Sequence, residues 1–132
     1  MLIELLKNDL QKNAKKEKSK IYFTSSEKYF KIGQTAQRYM CDRMKTLRLK
    51  ENDIKCLGYV EFTGSKALRD FVESALRLYI ENQDYILVGN DHFVKKGKET
   101  IFKKHCINIV TDTLNSLEID YKIVNKKIKN IK

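Results

Sequence analysis

Between Lys66 and about Asn82 the chain repeats apolar residues with the period of an α-helix. Leu68, Phe71, Val72, Ala75, Leu76 and Tyr79 fall at i, i+3, i+4, i+7, i+8 and i+11, and Arg69, Asp70, Glu73, Arg77 and Glu81 occupy the other side. A stripe of this width needs an apolar surface to cover, and the preceding segments supply strands for it. Ile21–Thr24 and Tyr29–Thr35 read as a hairpin turning over Ser25–Lys28, and Ile54–Phe62 reads as a third strand ended by Thr63-Gly64-Ser65. Gly33 marks a bulge or a close backbone approach in the second strand. Ser65 is placed to cap the following helix.

Two further helices are predicted. One runs from Gln37 to Leu49 with Met40, Met44 and Leu47 on one face. The other runs from Glu99 to about Leu117, with Ile101, Phe102, His105, Cys106, Ile109, Val110, Thr113, Leu114 and Leu117 on its inner stripe. Between the helices, a loop containing Gly89-Asn90-Asp91-His92 is bracketed by Tyr85–Val88 and Phe93-Val94. Ile119, Tyr121 and Ile123 alternate with polar residues as in a last edge strand. The fold class expected is α/β (α+β): a small three-stranded antiparallel sheet flanked by helices, with an added amino-terminal helix and a carboxy-terminal helix plus edge strand.

The 132 residues contain no proline, no Gly/Ser linker and no repeat, so one domain is expected. Residues 1–19 read as an amino-terminal helix and basic arm, 20–98 as the core, and 99–132 as a completion packed on it. Leu2, Ile3, Leu5, Leu6 and Leu10 give the first helix its apolar face, which packs on the domain or forms a homodimer contact. The lysine-rich stretch from Lys12 to Lys20 reads as a helix end or solvated arm, or as an arm that grips phosphates through residues such as Lys15 and Lys16.

Charge narrows the partner. The excess of Lys and Arg gives a formal net charge of +10, mostly from lysine, which favours a polyanion held by its phosphates over base reading. No apolar run approaches the roughly 20 residues that span a bilayer, and the amino terminus has no signal-peptide core, so neither membrane insertion nor secretion is expected. The three widely spaced cysteines read as reduced thiols of a cytoplasmic protein. The two histidines lack zinc spacing, and no phosphate-binding Gly-Lys loop is present.

Lys20-Ile21-Tyr22 and Lys31-Ile32-Gly33 resemble the two tripeptides that name the GIY-YIG endonuclease superfamily. Arg43 follows Tyr22 by 21 positions in the next helix, and Glu73 lies in the later helix, where that family carries its arginine and its metal-binding glutamate. The run from Lys31 to Thr35, followed by Arg43-Met44-Lys45-Thr46-Leu47, is similar to the branch described as a phage and viral DNA-binding domain. The likeness covers about Lys20 to Phe93. Lys20 and Lys31 depart from it, standing for a glycine and a tyrosine; Asn90 is the candidate for the family's late asparagine.

The resemblance implies a metal-dependent endonuclease or nickase acting on DNA, double-stranded by preference. Tyr22 would act as general base or relay, which requires nearby cations such as Lys31 to lower its pKa. Arg43 would hold the scissile phosphate, and Glu73 would bind one Mg²⁺ or Mn²⁺. Lys31, Gln34, Thr35, Arg38, Arg43, Asn90, His92, Lys15 and Lys16 are the candidate nucleic-acid contacts. Bland readings stand beside these roles. Tyr22 could be a core aromatic, Glu73 a surface partner of Arg69 or Arg77, Arg43 a brace for its helix, and Lys31 an edge-strand guard against aggregation. Two other functions also fit: a non-cleaving DNA-binding module on the same fold, and a small viral protein that occupies a host protein. The abundance of lysine, isoleucine and asparagine suits an AT-rich phage or viral genome, which would place the protein in the host cytoplasm.

Overall fold

The computed structural model describes residues 17–89 and 91–125. The expected amino-terminal helix, Lys15, Lys16, Asn90 and the basic tail from Lys126 lie outside the described residues. In chain order the elements are β1 (Glu17–Ser25), β2 (Tyr29–Thr35), α1 (Met40–Arg48), β3 (Lys55–Gly64), α2 (Lys66–Glu81), β4 (Leu87–Val88), β5 (His92–Val94), α3 (Glu99–Ser116) and β6 (Tyr121–Val124).

The strands form a six-stranded sheet in the order β4-β5-β2-β1-β3-β6, and every neighbouring pair is antiparallel. The sheet is thus wider than the three strands and edge strand expected. The addition is the β4–β5 hairpin, whose strands of two and three residues are too short to show alternation in the sequence. They exist because β5 pairs with Tyr29–Lys31 of β2. The expected edge strand forms as β6 against β3.

The lysine-rich stretch ends in the sheet. Its end is no solvated arm: β1 begins at Glu17, and Lys18, Ser19 and Lys20 pair with Thr63, Phe62 and Glu61. The boundary drawn between residues 19 and 20 therefore falls inside a strand. Lys20 is buried, and its charge is met by Glu61 on the neighbouring strand, 3.5 Å from Nζ.

Strand alternation sorts the side chains into two layers. Ile21, Phe23, Phe30 and Ile32 face α2 and α3 and form the larger core with Leu68, Val72, Phe102 and Val110. Phe30 and Phe102 stack there with centroids 4.2 Å apart. Ser65 caps α2 as expected, its Oγ accepting from the Leu68 N–H at 3.1 Å. The stripe expected on α3 is rotated slightly: Thr111 is buried, Ile101 is exposed, and His105 sits half-buried with its ring steeply inclined to that of Tyr85. On the opposite face of the sheet, the shorter α1 covers a smaller cluster of Tyr22, Met40, Met44, Leu47, Ile54 and Cys56.

Candidate functional site

β5 stops beside Lys31, whereas β1 stays paired with β2 as far as Thr35. Past Ile32, whose N–H reaches the Asp91 carbonyl, β2 is therefore a sheet edge with no further strand among the described residues. Tyr22 is the register partner of Gly33 at this edge. Its phenol lies so close over the glycine that a Cβ on Gly33 would overlap the ring, while the β1–β2 register runs through without a bulge. Of the two expectations for Gly33, close approach is the one realised.

The α1 cluster packs around Tyr22 and leaves it only 1% exposed. Arg43, half-buried on α1, donates from Nε to Tyr22 Oη at 3.3 Å, and its guanidinium carbon lies 5.7 Å from the ring centroid. Its two terminal nitrogens make no hydrogen bond or ion pair with the described residues.

Electrostatics at the phenol run against the expectation for a general base. Burial is the largest influence and raises the Tyr22 pKa above its ordinary 10; the Arg43 hydrogen bond and charge oppose it, and the Glu73 and Asp91 carboxylates raise it further. The balance is upward, so near neutral pH the hydroxyl keeps its proton. Lys31 is not the cation at work here: its Nζ faces Asp91 Oδ2 at 3.8 Å. Tyr22 thus combines the bland reading, a core aromatic, with an unexpected one, a seat for Arg43.

Glu73 approaches the same edge from the other layer. Gln34 alternates onto the α2 side, where its amide donates to Glu73 Oε1 at 3.0 Å and to Asp70 Oδ1 at 2.6 Å. The Gln34 carbonyl oxygen accepts from Arg69 Nε at 3.0 Å, and Arg69 Nη1 continues to Glu17 at 2.8 Å and Ser19 at 3.1 Å. The surface pair of Glu73 with Arg69 or Arg77 does not form among the described residues. Gln34, expected on nucleic acid, is engaged with α2 instead. That engagement was open to sequence reasoning, because the alternation of β2 sends Gln34 to the face opposite Gly33.

The remaining candidates divide. Thr35 is buried, and its Oγ1 accepts from the Gln37 N–H at 3.1 Å, so it shapes the β2–α1 connector. Arg38 is exposed on that connector. His92 lies opposite Lys31 with Nδ1 2.7 Å from Asp91 and Nε2 3.2 Å from Glu51, tying β5 to the segment after α1. The sequence reading missed Lys20 as a structural residue: its Nζ donates to the carbonyls of Gln37 at 2.6 Å and Arg38 at 3.1 Å. Only its identity as a lysine inside a strand could have signalled this.

For a metal, the site offers two half-buried carboxylates that share the Gln34 amide, Asp70 and Glu73, of which Asp70 already accepts from Lys66 through Oδ2 at 2.9 Å. Glu73 Oε2 has no partner among the described residues, and no group of three or more His, Cys, Asp or Glu among them is arranged to hold an ion. Such a donor set fits a hard divalent cation that keeps its waters and takes further oxygens from a phosphate, and it does not fit a preformed protein cage. No helix of the described residues is long and apolar enough to cross a membrane.

No family model matches the chain, and neither a curated protein nor a solved structure matches it at a significant level.

Proposed function

We propose that the protein is a DNA-binding module of the GIY-YIG type that grips the phosphate backbone of a duplex at the open edge of β2. The observation that carries this reading is the attachment of Arg43. Its Nε is held against the Tyr22 hydroxyl, and both terminal nitrogens remain for a phosphate, which a planar guanidinium grips with two parallel hydrogen bonds. Lys31 and Arg38 lie on the flanks, and the net charge of +10 supplies the long-range attraction. The raised pKa of Tyr22 suits a phenol that holds Arg43 in place and favours this reading over proton abstraction. Fluorescence anisotropy with a labelled duplex tests it. Arg43→Ala should weaken binding by about 10-fold or more and flatten the plot of log affinity against log salt by about one unit. An unchanged slope would remove Arg43 from the interface.

A second reading, a metal-dependent endonuclease or nickase, is favoured by one specific feature, the convergence of Tyr22, Arg43 and Glu73 on a single edge. Glu73 Oε2 would hold Mg²⁺ or Mn²⁺, which when bound lends positive charge to a phosphoryl oxygen. Arg43 would orient the phosphate, and Tyr22, protonated, would position Arg43. Nicking of supercoiled plasmid in Mn²⁺ by the native protein, lost in Glu73→Ala while DNA binding persists, would establish cleavage. Intact plasmid at large protein excess leaves the binding module.

A further inference from the structure

Tyr39 is out of place by the ordinary rules of helix design. It occupies the N-cap of α1 with extended backbone angles (φ −117°, ψ 132°), and its side chain makes no capping hydrogen bond. Serine, threonine, aspartate or asparagine would satisfy a free N–H there. Tyrosine cannot, and it leaves a large ring 54% exposed. The guanidinium of Arg38 lies over the ring, its carbon 5.2 Å from the centroid.

The backbone beneath this pair is fastened from inside the protein. Lys20, 1% exposed, aims its ammonium at the carbonyls of Gln37 and Arg38, at 2.6 and 3.1 Å, and is balanced by Glu61 at 3.5 Å. Burying an ammonium is costly, and spending it on two successive carbonyls fixes the connector that presents Arg38 and Tyr39. A rigid aromatic ring, exposed and layered with a guanidinium, is the arrangement on which unstacked nucleic-acid bases settle. Arg43 follows Tyr39 by four positions, about 6 Å along a helix, so a base on the ring would belong to a nucleotide next to the phosphate at Arg43.

We propose that Arg38 and Tyr39 form a base-stacking platform and that the favoured ligand is DNA with an unpaired nucleotide, as at a flap, gap or frayed end. The proposal rests on the DNA-binding reading and names the class of DNA. The chain has no tryptophan, so Tyr39→Trp places its single indole at the platform, where it is excited selectively at wavelengths that the tyrosines do not absorb. Titrated with a duplex bearing a three-nucleotide flap, this variant should lose about half of its emission, and with the blunt duplex of the same sequence it should change little. By anisotropy, Tyr39→Ala should weaken flap binding by about 10-fold and blunt-duplex binding by less than about twofold, and Tyr39→Phe should keep the preference. An unchanged thermal melt of Tyr39→Ala would show that the loss is not unfolding. Equal affinity for the two DNAs, or binding without quenching, overturns the platform and leaves the module. Failure to bind either DNA overturns both.

Discussion

The two faces of the sheet are built for different ends. Against α2 and α3 lies the large apolar core, with the stacked Phe30–Phe102 pair in it, and buried polar side chains such as Ser19, Arg69 and Thr111 are its minority. Against α1 the apolar cluster is small and surrounded by buried polar groups, including the Lys20 ammonium, the Tyr22 phenol, Thr24 and Thr35. Apolar burial is non-directional and tolerant, while buried polar groups must meet particular partners at particular distances. The first face therefore carries stability, and the second trades stability for fixed positions of Arg43 and the β2–α1 connector.

The largest effect should come from the first face. Phe102→Ala removes a ring that stacks on Phe30 and meets Tyr85 edge-on, and should cost about 3–5 kcal/mol in urea unfolding. The comparison would break if the loss were no greater than that of a substitution around Tyr22. Gly33→Ala is that substitution. Its methyl group has nowhere to go while the phenol lies over the glycine, so the ring must shift; a loss of about 1–3 kcal/mol is expected. Joining it with Tyr22→Leu, which removes the overlapping end of the ring, should cost less than the sum of the single changes. Strict additivity in that cycle would mean that Gly33 and Tyr22 do not constrain each other.

The two faces also differed in how readily the sequence disclosed them. The apolar layer follows from periodicity: Lys66–Glu81 forms the expected helix with Leu68, Val72 and Leu76 inward, and Ser65 caps it. The α1 face follows only in part. Met40, Met44 and Leu47 point inward as their spacing requires, and the resemblance brings Tyr22 and Arg43 to notice, but no local pattern tells that an ammonium at position 20 will bond to carbonyls 17 and 18 residues later. Nor does it tell that Gln34 will lie between Arg69 and Glu73. Those contacts depend on how the layers dock. Periodicity reports which side of an element is inside, whereas a long polar side chain chooses its partner only after the elements have met.

The smallest expected effect tests whether the apolar face is as indifferent to charge as its interior suggests. α3 begins at Glu99, whose carboxylate lies 3.1 Å from the Lys55 ammonium on β3 and 3.4 Å from that of Lys95. Burial by itself would raise the Glu99 pKa, but hydrogen bonds from Ser25, Lys55 and Lys95, with the Lys55 charge, pull it from an ordinary 4.5 down to about 2. A carboxyl group that is more acidic folded than unfolded binds fewer protons in the native state. Its stabilisation is therefore complete above about pH 4.5 and is lost as pH falls toward 2. Melting temperature measured from pH 6 to pH 2 should fall for the native protein, and Glu99→Gln, which has no proton to take up there, should start lower and fall less steeply. Parallel curves would mean that the ion pairs at the start of α3 do not couple to folding, and that its apolar stripe alone holds the helix to the sheet.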